Sequence, residues 1–342
     1  MISHRIYSRL SAAVFCTLLL TVGCTQQTTE IGRTGVETKK QAPQEAPGTC
    51  RLALKFTQQD ATTYKVITES EQNVKLEGKI TADDAFKSGR SYTRTEITFI
   101  QDIGAITDEG DGAAQIIIKN LKYLSIMRNN TIMDFDSSRD NDQNSPLAKL
   151  VGQSYLIRIT PDNQIPEIAD LYGPQTTVLG NTFANKIAST LIDLNVIEER
   201  HIVPALPPIK KSILHTGDTW SKAKTFSFGL MGTKSYERIY TLREIKDTAG
   251  RRTAIVDMNA IPAPQPLDQP QKQSSGFPKM FDNSGTYTGH LTFDLTAGKV
   301  EKYTEKLNTE WITIDPAAKP QGSEPDVLKM NAVRSYSIEK ID

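Results

Sequence analysis

Alternation of apolar and polar side chains is the dominant pattern in this chain, and it is clearest in residues 287–296. Every second residue of that segment, beginning with Tyr287, is Tyr, Gly, Leu or Phe, whereas the residues between them are Thr, His and Asp. A period of two indicates a strand with one dry face and one solvated face, as in an antiparallel sheet. Ala297 and Gly298 then predict a hairpin turn into a second strand beginning at Lys299.

The same β-rich character recurs from Cys50 onward. Runs of Thr, Tyr, Phe, Val and Ile predict further strands at 51–57, 63–68, 92–100, 115–127 and 328–338. The strand, polar turn and strand at 154–168 resemble the hairpin at 287–303, which suggests two similar halves, 50–178 and 204–342. The predicted fold of residues 50–342 is therefore mainly β, an antiparallel curved sheet or half-barrel, with two related sheets as the alternative.

One segment, 182–199, has the periodicity of a helix. Its apolar residues are spaced by four, four, three and three positions: Phe183, Ile187, Leu191, Leu194 and Ile197. This spacing predicts one long helix with an Asn or Thr cap that joins the two halves and packs on the inner face of the sheet. A shorter helix is expected to begin at Ser145-Pro146 and to end at Gly152.

Residues 1–23 have the composition of a secretory leader. Arg5 and Arg9 precede an apolar segment, 10–22, that is too short to span a bilayer comfortably. The string Leu20-Thr21-Val22-Gly23-Cys24 resembles a bacterial lipobox, with Thr21 where Leu is usual. This resemblance implies cleavage after Gly23 and attachment of lipid to Cys24. The alternatives are an ordinary secretory leader with an incidental cysteine, or an uncleaved anchor.

The anchor predicts where the protein is found. Several acyl chains hold a protein stably on a membrane, so the expected location is the bacterial cell envelope. Thr25 after the cysteine resembles an outer-membrane sorting signal, which in a cell with two membranes places the protein facing the periplasm or the cell surface. Residues 25–49 have almost no large apolar side chains and predict a disordered tether. Cys50 then remains alone, so no internal disulfide is expected.

Charge and motif content narrow the class of function. The 40 basic and 40 acidic residues give a formal net charge of zero, which argues against nucleic-acid binding. No HExxH, CxxC, Walker loop or Gly-x-Ser-x-Gly signature occurs. We therefore predict no catalytic residue, no cofactor and no metal site, with a catalytic site of scattered residues as the remaining alternative.

Two weaker patterns are interpreted as structural. The acidic segment 134–144 is rich in the oxygen ligands of calcium, but an EF-hand loop beginning at Asp140 would have Ser145 and Val151 in place of the required Gly and Glu. A solvated loop is the expectation. His290 and Asp294 lie four residues apart on one strand, roughly 13 Å along an extended chain, which is too far for a direct hydrogen bond.

The most distinctive segment runs from the Pro-rich residues after Leu206 to Gly217-Asp218-Thr219-Trp220. Gly-Asp predicts a tight turn, after which Trp220 enters a strand. With the later Gly-x-Tyr-x-Gly strand and Gly-Lys-Val, this segment resembles an uncharacterised family of bacterial envelope lipoproteins. More distantly, the predicted fold resembles the lipoprotein-carrier half-barrels, which hold acyl chains in an apolar concavity.

These resemblances imply a membrane-anchored envelope lipoprotein that binds a lipid or another hydrophobic or amphipathic ligand in its half-barrel. The side chains expected to line the site are Phe183, Ile187, Leu191, Trp220, Leu291 and Phe293. The alternative is a structural or protein-interaction module with a filled interior. A continuous cavity between helix and sheet favours the first interpretation, and a packed interior favours the second.

Overall fold

A computed structural model describes residues 48–77, 88–208, 213–228, 233–263, 282–315 and 326–341. The predicted leader, Cys24 and most of the tether lie outside these ranges. The described residues belong to one unit, which takes in Glu45–Asp342. Most of them lie in strands, as the alternating pattern predicted.

The first half of the chain supplies strands β1 to β7: Thr49–Cys50, Asp60–Glu77, Gly89–Ile106, Gly112–Met127, Asn130–Asp136, Ser154–Ile159 and Glu167–Ala169. The second half supplies β8 to β14: Leu214–His215, Thr219–Ser227, Thr233–Thr248, Arg251–Pro262, Asp282–Asp294, Lys299–Asp315 and Asp326–Lys340. Between them the described residues form three short α-helices: α1, Tyr172–Thr177, α2, Phe183–Leu191, and α3, Leu194–His201.

Twelve of the described strands form one curved antiparallel sheet that is not closed. The order across the sheet is β7-β6-β4-β3-β2-β14-β13-β12-β11-β10-β9, with β5 beside β4. Strands β1 and β8 pair separately. The two halves of the chain meet where β14 pairs with β2, from Val327 opposite Glu77 to Lys340 opposite Tyr64. They therefore share one sheet instead of forming two.

Strand alternation places the core on one face of this sheet. In β12, Tyr287, Leu291 and Phe293 are buried, as the period of two predicted. Alternation also accounts for the buried residues of β14, which are Leu328, Met330, Ala332 and Ile338. Trp220 enters β9 directly after the turn at Gly217 and is buried against the ring of Tyr240.

The prediction of a strand at 51–57 is wrong, because the structure has no strand between β1 and β2. The segment is held instead by single backbone hydrogen bonds to two different loops, from Leu54 to the carbonyl of Pro161 and from Lys55 to that of Gly298. A β-rich composition does not by itself provide a neighbouring strand edge, and without one no ladder forms.

The single long helix at 182–199 is also wrong, because the segment contains two helices, α2 and α3. Asp193 begins α3 as its N-cap, with Oδ1 accepting from the backbone N–H of Asn195 at 3.0 Å. The carbonyl of Leu191 at the end of α2 accepts a hydrogen bond from the guanidinium of Arg200. Both helix ends are therefore satisfied at the break. The predicted Thr cap is confirmed, since Thr182 caps α2.

The break also interrupts the predicted apolar stripe. Ile187, Leu191 and Ile197 are buried, whereas Phe183 is 49% exposed and Leu194 is 51% exposed. Each exposed residue is the first residue of its helix, and the two short helices do not share the single face of a continuous one. The shorter helix expected from Ser145 to Gly152 is reduced to one 3-10 turn at Ala148–Leu150.

Candidate ligand cavity

A cavity of about 670 Å³ lies between the helices and the concave face of the sheet. Helix α3 lies above strands that are far apart in the sheet. Its His201 ring meets Phe99 of β3 edge-on at 4.7 Å, the carbonyl of Arg200 accepts from the hydroxyl of Tyr336 in β14 at 3.0 Å, and Glu199 accepts from Lys224 of β9 at 2.7 Å. The helix therefore crosses the concave face, and the cavity lies beneath it.

A buried polar network fixes the C-terminal end of α3. The hydroxyl of Tyr155 lies 2.8 Å from Nε2 of His201 and accepts from Arg200 Nη1 at 3.1 Å. Asn163 donates to the carbonyl of His201 at 3.1 Å. Burial, with a smaller contribution from the charge of Arg200, holds the pKa of His201 well below its ordinary value. His201 is therefore neutral at physiological pH, and it acts as a structural group.

Part of the cavity wall is apolar. It is formed by side chains from two strands of the first half, from the helices and the segment after them, and from β9: Val66, Ile97, Leu191, Val196, Ile202, Pro204 and Phe226. Such a surface can hold hydrocarbon, because burying apolar area against it releases water from both partners.

The rest of the lining is polar, and it includes an ion pair between Arg238 of β10 and Glu305 of β13. Arg238 Nη1 lies 3.3 Å from Glu305 Oε2, with side-chain exposures of only 7% and 12%. Two strands separate these residues, at about 4.8 Å per strand. The side chains meet because the residue opposite Arg238 is Ala260, the residue opposite Glu305 is Gly289, and neither fills the space between them.

Tyrosines surround this ion pair. Tyr303 donates to Glu305 Oε2 at 2.7 Å. Burial raises the pKa of Tyr240 to about 12, and burial together with the charge of Glu305 raises the pKa of Tyr287 further still. Both hydroxyls therefore keep their protons at neutral pH and are hydrogen-bond donors.

Three of these donors make no hydrogen bond of normal geometry. Arg238 Nε and the hydroxyls of Tyr240 and Tyr287 are enclosed by protein atoms, although the Tyr287 hydroxyl interacts with the carboxylate of Glu305 and the Tyr240 hydroxyl with the hydroxyl of Tyr303. Arg238 and Tyr287 line the cavity. Arg334 also lines it, half-buried, and burial lowers its pKa. Glu69 of β2 lines the cavity as well, so its polar lining has charged groups of both signs.

The six residues predicted to line the site do not lie together in the structure. Leu191 lies on the apolar wall. Ile187, Trp220, Leu291 and Phe293 are buried in the core away from the cavity, and Phe183 is exposed. The sequence analysis did not identify Arg238, Glu305, Tyr287 or Arg334. A signal was present, because each of these polar residues occupies a position that alternation assigns to the inner face.

The other polar features are explained by local structure. In the acidic loop, Arg139 lies 3.0 Å from Asp134 and 2.6 Å from Asp142. His290 pairs with Asp257 on the neighbouring strand at 2.8 Å, and Asp294 pairs with Arg251 at 2.6 Å. In the part of the chain that the structure describes, no group of three or more His, Cys, Asp or Glu could hold a metal ion.

Comparison with known proteins adds no assignment, since the sequence matches no protein-family model and has no significant match among curated proteins. Within the described ranges, no helix combines the length and the apolar character needed to cross a membrane.

Proposed function

We propose that this chain is a lipid-anchored protein of the bacterial cell envelope that binds an amphipathic small molecule, such as a lipid, in the cavity beneath α3. The observation that carries the proposal is the cavity. Its volume of about 670 Å³ lies inside the range of small-molecule pockets, roughly 300–1,000 Å³. Part of its lining suits hydrocarbon and part suits a polar headgroup.

The contrast with the surrounding core supports a binding role. Tyr303, Leu291 and Phe293 have no exposed surface at all, so the sheet packs tightly wherever its inner face is filled. An open space of this size leaves its wall without the dispersion contacts that a packed interior provides. A bound hydrocarbon chain restores these contacts.

The anchor in this proposal rests on the sequence. Basic residues, a short apolar segment and Gly23-Cys24 together resemble a lipoprotein leader. The tether predicted at residues 25–49 would have a typical span of roughly 25–30 Å. In this proposal it keeps the cavity close to the bilayer, where an amphipathic ligand is most concentrated.

The alternative function is a structural or protein-interaction module of the envelope. The observation in its favour is the firm attachment of α3, whose Arg200 and His201 are buried among hydrogen-bonded partners. A helix fixed in this way restricts entry to the cavity.

Filling the cavity tests the proposal. Thr95 of β3 lines the cavity opposite Thr68, whereas Thr98 of the same strand lies opposite Lys65 on the other face. We expect native mass spectrometry of the full chain, purified from membranes, to detect a bound lipid that Thr95→Trp removes and Thr98→Trp retains. Wild-type protein without any bound lipid, and with no change in melting temperature on addition of lipid extract, would contradict the proposal.

A further inference from the structure

The volume of the cavity limits how much hydrocarbon it can hold. A methylene group takes up nearly the same space as a water molecule in the liquid, roughly 30 Å³. A cavity of about 670 Å³ therefore has room for about 20 groups of that size. One chain of about 12–16 carbons fits and leaves space for a polar group, whereas two such chains, with about 24–32 carbons, do not fit.

The helix side of the cavity cannot move outward at low cost. Ile197 and Arg200 of α3 are buried. The guanidinium of Arg200 donates to the carbonyl of Leu191 and to the hydroxyl of Tyr155, so it joins α3 to α2 and to β6. Lifting α3 away from the sheet to admit a second chain would break these buried hydrogen bonds and leave their partners unsatisfied.

The sheet side of the cavity is fixed as well. Strands β3, β2, β14, β13 and β12 lie beside one another without a break, and each has a ladder partner on both sides. Phe99 follows the lining residue Ile97 on the inner face of β3 and is buried. Tyr303 and Leu307, on either side of the lining residue Glu305, are fully buried. Because close-packed interiors deform little, the present volume limits the ligand.

The polar lining does not select one sign of headgroup charge. Glu69 and Glu305 line the cavity together with Arg238 and Arg334, and Arg238 is paired with Glu305. Charged groups of both signs suit anionic and zwitterionic headgroups alike. The number of hydrocarbon chains is therefore the property of the ligand that the cavity restricts most directly.

We propose that the cavity accepts amphiphiles with a single hydrocarbon chain, such as monoacyl lipids, and excludes lipids with two chains. This inference rests on the proposed function, since it defines the class of amphipathic ligand that the cavity binds. In the cavity, a two-chain lipid would have to leave one chain in water. It therefore remains in the bilayer, where both of its chains are buried.

Matched lipid pairs test the limit on chain number. Native mass spectrometry of the full-length chain measures binding from equimolar mixtures of palmitoyl lysophosphatidylethanolamine with dipalmitoyl phosphatidylethanolamine, and of the corresponding phosphatidylglycerols. Each pair shares one headgroup and one kind of chain. In at least one pair we expect the one-chain lipid to bind at least about tenfold more than the two-chain lipid, because about two exposed methylene groups cost that factor.

Chain length gives a second measure of the same limit. In calorimetric titrations below the micelle concentration, lysolipids of increasing chain length should gain about fourfold in affinity for each added methylene until the cavity is filled. The gain should stop at about 16 carbons, where the chain and the polar group together take up the available volume.

A substitution assigns this limit to the cavity. Thr93 of β3 lines the cavity, and Thr93→Phe adds the volume of about two to three methylene groups. The gain should then stop about two to three carbons earlier. Thr98→Phe, on the outer face of the same strand, is the control and should keep the limit of the wild type. The comparison of lipid pairs in the wild type does not depend on either variant.

Three results overturn the limit to one chain while leaving the proposed function intact: equal binding of one-chain and two-chain lipids in both pairs, an affinity that keeps rising with chain length beyond the volume of the cavity, or the same limit in Thr93→Phe as in the wild type. Failure of every lipid to bind contradicts the proposed function and the limit together.

Discussion

At the scale of single residues, Gly289 is required for space and not for an unusual backbone conformation. A Cβ at this position would lie 2.8 Å from the carbonyl oxygen of Thr304 and 2.9 Å from the terminal methyl of Met258. The first of these is backbone and moves only with its strand. Gly289 therefore allows β11, β12 and β13 to approach each other beneath the Arg238–Glu305 pair.

Gly289→Ala should accordingly lower the free energy of unfolding by about 1–3 kcal/mol, as overpacking of a filled core does. Gly104→Ala is the matched control, because its Cβ would meet its nearest neighbour, the carbonyl of Ala113, at an ordinary 3.9 Å. Urea unfolding curves of both variants measure the difference. Equal stability of the two would show that the sheet can shift to accept the methyl group.

His201 gives the stability of the protein a dependence on pH. Its pKa is lowered well below the ordinary 6.5 by burial and by Arg200, so only the unfolded chain takes up the proton near pH 6. The contribution of His201 to the free energy of unfolding is therefore fully present above pH 6.5. It falls as the pH drops below that value, by up to about 1.4 kcal/mol per pH unit.

Urea unfolding at pH 7 and pH 5 should show this loss for the wild type and a smaller loss for His201→Gln. His215→Gln, at an exposed position, is the control and should behave as the wild type. An unchanged pH dependence in His201→Gln would assign the loss to other groups.

At the scale of elements, the two short helices differ in what lies beneath them. Leu191 of α2 is buried but lines the cavity, whereas Ile197 of α3 is fully enclosed. Truncation of a core residue costs about 2–5 kcal/mol, and the cost is larger where tightly packed atoms surround the removed group. Leu191→Ala should fall near the lower end of that range, and Ile197→Ala near the upper end.

Urea unfolding with and without added lipid separates these contributions. Lipid should stabilise the wild type, and Leu191→Ala should weaken this effect. A large cost for Leu191→Ala with no effect of lipid in either protein would indicate the structural module instead of the binding protein.

The elements also show what the sequence could reveal. Strands β12 and β14 could be predicted because the alternation of apolar and polar residues in each can be read without knowing which strands pair with it. The break at Asp193 was not, because it depends on an Arg200 guanidinium that reaches the end of α2 only in the folded chain. The same limit applies to the cavity. Leu191 follows from helical spacing, but the contact between Arg238 and Glu305 spans two intervening strands.

At the scale of the whole molecule, one strand pair joins the two halves of the sheet. Ala332 lies in the middle of β14, with Thr309 on one side and Gln72 on the other. Proline here removes a backbone N–H from a central strand and should destabilise both halves together.

Hydrogen exchange of Ala332→Pro should show reduced protection in β3 and in β12 alike. Ser221→Pro in the edge strand β9 is the control, and its effect should be confined to β9 and β10. Loss of protection on one side of β14 alone would mean that the two halves fold independently.

The proposed anchor belongs to the scale of the whole molecule, because lipidation of Cys24 would attach the protein to a membrane. Cells grown with a clickable acyl analogue should label the wild-type protein, and Cys24→Ala should abolish the label. Cys50→Ala is the control and should keep it, since Cys50 is buried. An unlabelled wild type would contradict lipidation.

The pairing of β2 with β14 also affects how the chain folds while it is being synthesised. Strand β2 ends at Glu77 and β14 begins at Asp326, so the partner that completes the middle of the sheet is synthesised after every other strand that the structure describes. Pairing between such distant parts of a chain makes folding slow. Until β14 arrives, β2 presents an open edge that another incomplete copy can occupy. Newly made chains that meet before β14 is in place are therefore expected to pair through β2 instead of folding.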